Sequence, residues 1–387
     1  MLPHPHGGHM VQRMLGAREK ERRESELKDL PQIRPVIDEL YDAEKIAVGA
    51  YSPLEGFMDS AELDSVCSKT RLTNGLPWSM PILCAPSSAE AIKTLAPLKS
   101  GDDFALLDAE GHFIAVLHLS QRYKLDKKRV AQATFATTET AHPNVADLFA
   151  AGDEAFAGKL DLVRPLDLPA RETELSPLET RAEFERRGWK NVSAYQCRNP
   201  PHTAHEYLQR LTLERHDVDG LFVHPVVGRL KKGDYRPEVI LRSYTELLRT
   251  YYPTDRVFLG SMSITMRYAG PKAALFLAIV RKNYGCNFYI VGRDQAGVGK
   301  YYDPYACHGI FDEFDIGITP LRYEETFFCR KCGWMATPKT CAHPAEEHVS
   351  TSQTRIREAL AKHEPLPMEI IRPEIAKILS GTEKVLN

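Results

Sequence analysis

The sequence lacks any apolar run approaching the ~20 residues that a membrane-spanning helix needs. It also lacks the apolar stretch of a secretory signal, since the chain starts MLPHPHGGHMVQRML. Both absences point to a cytoplasmic protein with no membrane partner. Nor is there a surplus of one sign of charge: Lys and Arg number 50, Asp and Glu 52, for a formal net charge of −2. A global basic field for nucleic acid is excluded, although a local basic pocket is not. There is no internal repeat, no low-complexity segment and no Gly-x-x-x-x-Gly-Lys phosphate loop.

What is present is a chain of 387 residues, 43% hydrophobic and 26% charged. That suffices for two or three domains with a real core. His4, His6 and His9 read as part of a disordered tail. Residues 11–28 are charged and helix-prone, with no clear core stripe. From Ala43 to Val163 short apolar runs alternate with turn signals. PWSMPILC, DDFALLD and HFIAVLHL read as strands of a β-rich domain, with a hairpin turn at Glu110 and Gly111. Ala170–Pro177 reads as a linker. From Lys190 onward strands and helices alternate: NVSAYQ, HTAHEYLQRLTLER, DGLFVHPVVG, PEVILRSYTELLRTYY, RVFLG, PKAALFLAIVRKNYG and CNFYIVG. That order predicts a parallel sheet covered by helices, with ligands beyond the carboxyl ends of its strands. A final helix is expected near Pro373–Leu379.

The polar motifs fall at those strand ends. QCRNPPHTAHE places Arg198, a fork of donors suited to a tetrahedral oxyanion, beside Gln196. His202 and His205 are three apart at a helix start, on one face, where free backbone N–H groups favour phosphate. The second loop, VGRDQAGVG, has three glycines for close approach to a ligand, with Arg293 as a cation. Asp294 can hold Arg293 or a ribose hydroxyl. Lys231 and Lys232 can steer anions. Of the eight cysteines, Cys67, Cys84, Cys197, Cys286 and Cys307 are scattered and read as reduced thiols. Cys329, Cys332, Cys341 and His343 cluster as CxxC followed by Cys-x-His, which suits a closed, structural Zn²⁺ site. His348 is a substitute for His343.

QCRNPPHTAHE resembles the Q-T-R-N-P-x-H-x-x-H-E signature of the ATP sulfurylase family. VGRDQAGVG resembles its G-R-D-H-A-G loop, and STSQTRIREAL its I-S-G-T-x-x-R segment. GAYSPLEGFM, RLTNGLPWSMPI, AHPNV and MRYAGPKAALFLAIVRKNYGC match further stretches, from about Leu30 to Leu379. In AHPNV and GAYSPLEGFM the residues read as structural turns, and Tyr268, Gly270 and Pro271 as a helix start.

The resemblance implies an α/β multidomain protein. After an N-terminal tail (1–28) come a β-rich PUA-like domain (29–169) and a Rossmann-like nucleotidylyltransferase domain with a parallel sheet (170–322). A small C-terminal zinc-containing domain (323–387) follows. It implies transfer of AMP from ATP to sulfate, giving adenosine 5′-phosphosulfate and pyrophosphate, reversibly. The implied catalytic set is Cys197, Arg198, Asn199, His202 and His205. Gln196, Arg198, Arg293 and Ala296 would bind sulfate. Asn199, His202, His205, Gly292, Asp294, Gln295, Ser352, Thr354 and Arg357 would bind ATP, accompanied by Mg²⁺. A homo-oligomer, most simply a dimer, is also implied. Three positions depart from the pattern: Cys197 stands for Thr, Gln295 for His and Gln353 for Gly. They leave open a nucleotidylyltransferase with another oxyanion or phosphonate acceptor, and a binding protein without turnover.

Overall fold

The computed structural model describes residues 1–387 apart from Lys231, Lys232, Asp294 and Ser352 and the side chains of residues 22–25. The N-terminal half begins with α1 (Ala17–Asp29), β1 (Gln32–Ile33), α2 (Ile37–Ala47), β2 (Gly56–Phe57), α3 (Ser60–Lys69) and α4 (Ala89–Leu95). β3 (Asp103–Leu107), β4 (Phe113–Lys124), α5 (Lys127–Phe135), α6 (Pro143–Ala150) and β5 (Glu154–Leu162) follow. The strands form one sheet in the order β1-β3-β4-β5-β2. β4 pairs antiparallel with β3 and β5, and the β3–β4 turn passes through Gly111 at φ +89°, as the sequence suggests.

PWSMPILC forms no strand. Pro77 and Pro81 have no N–H to give a ladder. The segment instead lines the core as irregular chain, with Trp78 fully buried. The N-terminal residues also differ from expectation, because they are packed and not a loose tail. The His6 N–H donates to Asn283 Oδ1 (2.8 Å), and its ring Nε2 bonds to the Pro77 carbonyl (2.8 Å). Burial lowers the His6 pKa to about 4, so the ring is neutral.

The second half holds α7 (Pro177–Arg186), β6 (Val192–Tyr195), α8 (Thr203–Leu213), β7 (Gly220–Val223) and α9 (Pro237–Tyr251). It continues with β8 (Val257–Leu259), α10 (Pro271–Asn283), β9 (Phe288–Val291), α11 (Ala306–Glu313) and β10 (Thr319–Arg322). The sheet is wholly parallel, in the order β10-β9-β6-β7-β8. The chain builds from β6 to β8 in one direction and then returns to place β9 on the other side of β6. That reversal makes a crevice beyond the carboxyl ends of β6 and β9, the usual ligand position in such sheets. α10 is apolar almost all round and buried, as a helix inside a larger core must be. Its start is set by Pro271 and by Gly270 at φ +51°, where a Cβ would lie 2.6 Å from the Tyr302 ring.

β11 (Phe327–Cys329), β12 (Trp334–Ala336) and β13 (His348–Ser350) form a small antiparallel sheet, followed by α12 (Gln353–Ala361) and α13 (Pro373–Ser380). The 170–177 stretch is a packed seam and not a free linker. Glu174 is buried and bonds to Lys45 Nζ and to the Ser263 N–H (3.0 Å). Lys45 also pairs with Glu44 (2.8 Å), which accepts from Arg171 Nη2 (2.7 Å). Burial disfavours the Glu44 charge, but Lys45 and Arg171 outweigh it and hold its pKa down to about 2.

Candidate active site

Two segments leave the sheet at the β6/β9 reversal and face each other across a cavity of about 500 Å³. Gln196, Cys197, Arg198, Asn199, His202 and His205 form one wall and Gly292, Arg293, Gln295, Ala296 and Gly297 the other, with Ser350, Thr351 and Gln353 closing a third side. The first wall turns into α8 at His202, which takes extended backbone (φ −132°) before the helix begins. The spacing then brings His202 and His205 together as a stacked pair with ring centroids 3.7 Å apart. Each ring has a buried Nδ1 with no hydrogen-bond partner. Burial pushes the His205 pKa down to about 3, and burial plus the neighbouring ring puts His202 well below its ordinary value. Both imidazoles are therefore neutral donors at pH 7, not cations.

Arg198 is held from two sides. Its Nη1 lies 3.3 Å from Asp234 Oδ1, and its guanidinium stacks over the Tyr268 ring at 4.7 Å. Tyr268 is itself fixed by the N-terminal half. Asn144 accepts from the Tyr268 N–H (2.9 Å), and His142 Nε2 bonds to the Tyr268 carbonyl (2.9 Å). AHPNV thus does more than turn: it starts α6 with Pro143 in the first turn and clamps the 266–268 loop. Asn199 accepts from Arg357 Nη2 (2.8 Å), which brings α12 to the first motif. Arg357 also stacks over Tyr235 at 5.0 Å. Arg293 sits at the cavity mouth, half exposed, with Glu325 3.6 Å away. Thr354 is exposed on the first turn of α12 and does not line the cavity. Asp294, Ser352, Lys231 and Lys232 lie outside the described residues.

The three departures each have a partner within the protein. Cys197 is buried and its thiol donates to Tyr244 Oη (2.9 Å). Burial pushes its pKa up to about 12. A thiol kept protonated in this way is a poor nucleophile, although Cys197 does line the cavity. Gln295 accepts from the Gly292 N–H (3.1 Å) and donates to Tyr289 Oη. Gln353 Nε2 donates to the Pro200 carbonyl (2.9 Å).

The motif reading missed several supports. Glu206, the last residue of QCRNPPHTAHE, is buried and grips Arg372 through both oxygens (2.7 and 2.8 Å) and Arg210 (2.8 Å). It ties the C-terminal segment to α8. A carboxylate on the buried side of a helix was the available signal. Asp234 carried none beyond its place after two lysines.

Cys329, Cys332, Cys341 and His343 converge with all donor atoms within 4.8 Å of one another. The His343 Nδ1 is 3.3 Å from the sulfurs of Cys329 and Cys332 and 3.6 Å from that of Cys341. Three thiols and one imidazole at this separation could hold a metal ion and fit soft tetrahedral ligation. His348 Nε2 lies 3.6 Å from the Cys341 sulfur, and its ring stacks on Phe327. Among the described residues no helix is long and apolar enough to cross a membrane.

A parallel sheet with a strand-order reversal, an arginine held at the cavity wall and paired histidines at a helix start defines a nucleotidyltransferase-type α/β enzyme behind a PUA-like domain. Comparison with known families agrees: a PUA-like domain model matches residues 3–165 and the ATP-sulfurylase model matches residues 171–382. The chain belongs to the ATP-sulfurylase family. It is 45% identical over 391 aligned positions to a sulfate adenylyltransferase of Chloroflexus aurantiacus, covering 100% of this chain and 98% of that protein. It is 44% identical to that of Symbiobacterium thermophilum (97% and 95% covered) and 41% identical to that of Thermococcus onnurineus (99% and 99%). A hexameric APS kinase from Thiobacillus denitrificans shares the fold at TM-score 0.76 and 24% identity, covering 99% of this chain and 69% of that one.

Proposed function

We propose that this chain transfers AMP from ATP to sulfate, forming adenosine 5′-phosphosulfate and releasing pyrophosphate. The observation that carries the reading is the single cavity lined by Arg198, Arg293 and the neutral His202–His205 pair. A sulfate oxygen attacks the α-phosphorus and pyrophosphate leaves in line. Positioning and charge stabilisation supply the catalysis, as in other phosphoryl-type transfers. Arg198 and Arg293 bring two anions together, with the Gln196 amide and the Ala296 N–H on the same sulfate. His202, His205 and Asn199 donate to the phosphates, and Arg357, which does not line the cavity, acts through Asn199 by holding its side chain. Gly292 has open space where a Cβ would stand, which lets nucleotide approach the backbone.

Mg²⁺ arrives with the nucleotide and needs no cage of its own. The cysteine cluster is a closed Zn²⁺ staple that holds β11–β13 beneath α12. In this reading residues 29–169 scaffold, 170–322 bind and react, and 323–387 close the phosphate side. A cytoplasmic homodimer completes it. Because Cys197 and Gln295 are occupied within the protein, neither argues for a different acceptor, whereas Gln353 satisfies only its Nε2 and keeps a buried Oε1 without a partner at the cavity. Pyrophosphate release from Mg·ATP with and without sulfate tests the reading. Sulfate-dependent release, lowered ~10²–10³-fold in Arg198→Ala, is expected. Release that ignores sulfate, or none from folded protein, contradicts it. Metal analysis should find about one Zn²⁺ per chain, lost in Cys332→Ser.

A further inference from the structure

Behind the glycine loop runs a hydrogen-bond relay whose direction is set at its first member. The Gly292 N–H donates to Gln295 Oε1 at 3.1 Å. A backbone N–H can only donate, so the amide oxygen must face Gly292 and the NH₂ must face away. That NH₂ donates to Tyr289 Oη. Tyr289 then has its own proton free, and it donates to Gln196 Oε1 at 3.3 Å. The Gln196 carbonyl is thereby engaged, and its NH₂ is the group left for the cavity it lines. Tyr289 is fully buried. Burial raises its pKa, so the phenol keeps its proton. The loop is pinned from behind as well: Cys307 Sγ donates to the Gln295 carbonyl (2.8 Å) and the Gly270 N–H to the Ala296 carbonyl (3.1 Å).

We infer that Gln295 and Tyr289 are positioning residues that lock the Gln196 amide with its donors toward the acceptor oxyanion, and so select a fully deprotonated oxyanion over one that keeps a proton. The inference rests on the proposed reading of Gln196 as a sulfate ligand. Its physical basis is simple. Sulfate at neutral pH offers only acceptors. Phosphate near its second pKa still carries a hydroxyl proton that needs an acceptor. A wall of donors suits the first and leaves the second with an unmet hydrogen bond, which is costly when buried. If the relay is cut, Gln196 can turn over and present its carbonyl to a protonated oxyanion.

The test compares the full-length wild type with Tyr289→Phe, Gln295→Met and the double variant, using Mg·ATP, sulfate and inorganic phosphate as competing inhibitor. In each single variant the sulfate KM should rise ~5–10-fold while the ATP KM stays within about twofold. The ratio of phosphate inhibition constant to sulfate KM should move toward phosphate. The double variant should be no worse than the worse single, because both cut one chain of bonds. Gln295→His, whose neutral ring can accept with one nitrogen and donate with the other, should keep a sulfate KM closer to wild type than Gln295→Met does. Additive singles, an equal rise in the ATP KM, or unchanged phosphate selectivity would overturn the inference. If the wild type itself shows no sulfate-dependent release, it is the proposed function that has failed. The relay is then judged by sulfate-induced thermal stabilisation: a smaller rise in Tyr289→Phe than in wild type supports it, and an equal rise refutes it.

Discussion

Two buried polar clusters in this molecule follow opposite rules. At the seam between the halves, Lys45, Glu44, Glu174 and Arg171 are paired with one another, and Ser263 bonds to Glu174. At the cavity, His202 and His205 stack with each other, yet each keeps a buried nitrogen without a partner. Natural interiors rarely leave such groups unmet. The paired cluster is therefore read as stability, and the unmet pair, because it also lines the cavity, as capacity for a ligand.

Breaking each cluster should separate the two roles. Lys45→Met strips the partner from two buried carboxylates. It should cost on the order of 3–5 kcal/mol of stability, measured by denaturant unfolding. Turnover of the protein that remains folded should change little. His202→Ala should do the reverse. It should lower kcat/KM by ~10²-fold at a smaller stability cost than Lys45→Met, since a ring stack and no hydrogen bond or ion pair is lost.

The pH dependence sharpens the contrast. Glu44 has a folded pKa lowered to about 2 from 4.5. Its contribution is fully present above the unfolded value and is lost as pH falls from there through the folded one. Thermal midpoints should thus decline between pH 4.5 and 2, and less so in Glu44→Gln. His205, with its pKa at about 3, should add no inflection to the rate near the ordinary histidine value. The smallest effect is expected at the position that departs from the family's threonine. Cys197→Thr exchanges one buried partner of Tyr244 for another, and should alter kcat/KM by less than about threefold.

The sequence made the local features legible. CxxC with Cys-x-His lies within a short stretch, so ligand spacing alone predicted a convergence that the structure places within 4.8 Å. The strand–loop–helix at Gln196–His205 was readable for the same reason, as was the parallel order of the second half. Partners far away in the chain were not readable. Asp234 beside Arg198, Tyr268 beneath it and the Asn144 clamp come from three separate segments. The polar, histidine-bearing N-terminus looked disordered, yet His6 is 2% exposed because Asn283 and Pro77 supply its bonds. PWSMPILC had strand-like apolarity, but its prolines remove ladder donors. The helices of the N-terminal half, α2 to α6, were not read from the sequence, because their apolar stripes are short.

The most direct measurement of the central claim is exchange of labelled pyrophosphate into ATP. Exchange requires that AMP move reversibly from ATP to an acceptor at one site. The account predicts exchange only when sulfate is present with Mg²⁺, and its loss in Arg198→Ala. Exchange that proceeds without sulfate, or that survives Arg198→Ala, would contradict it.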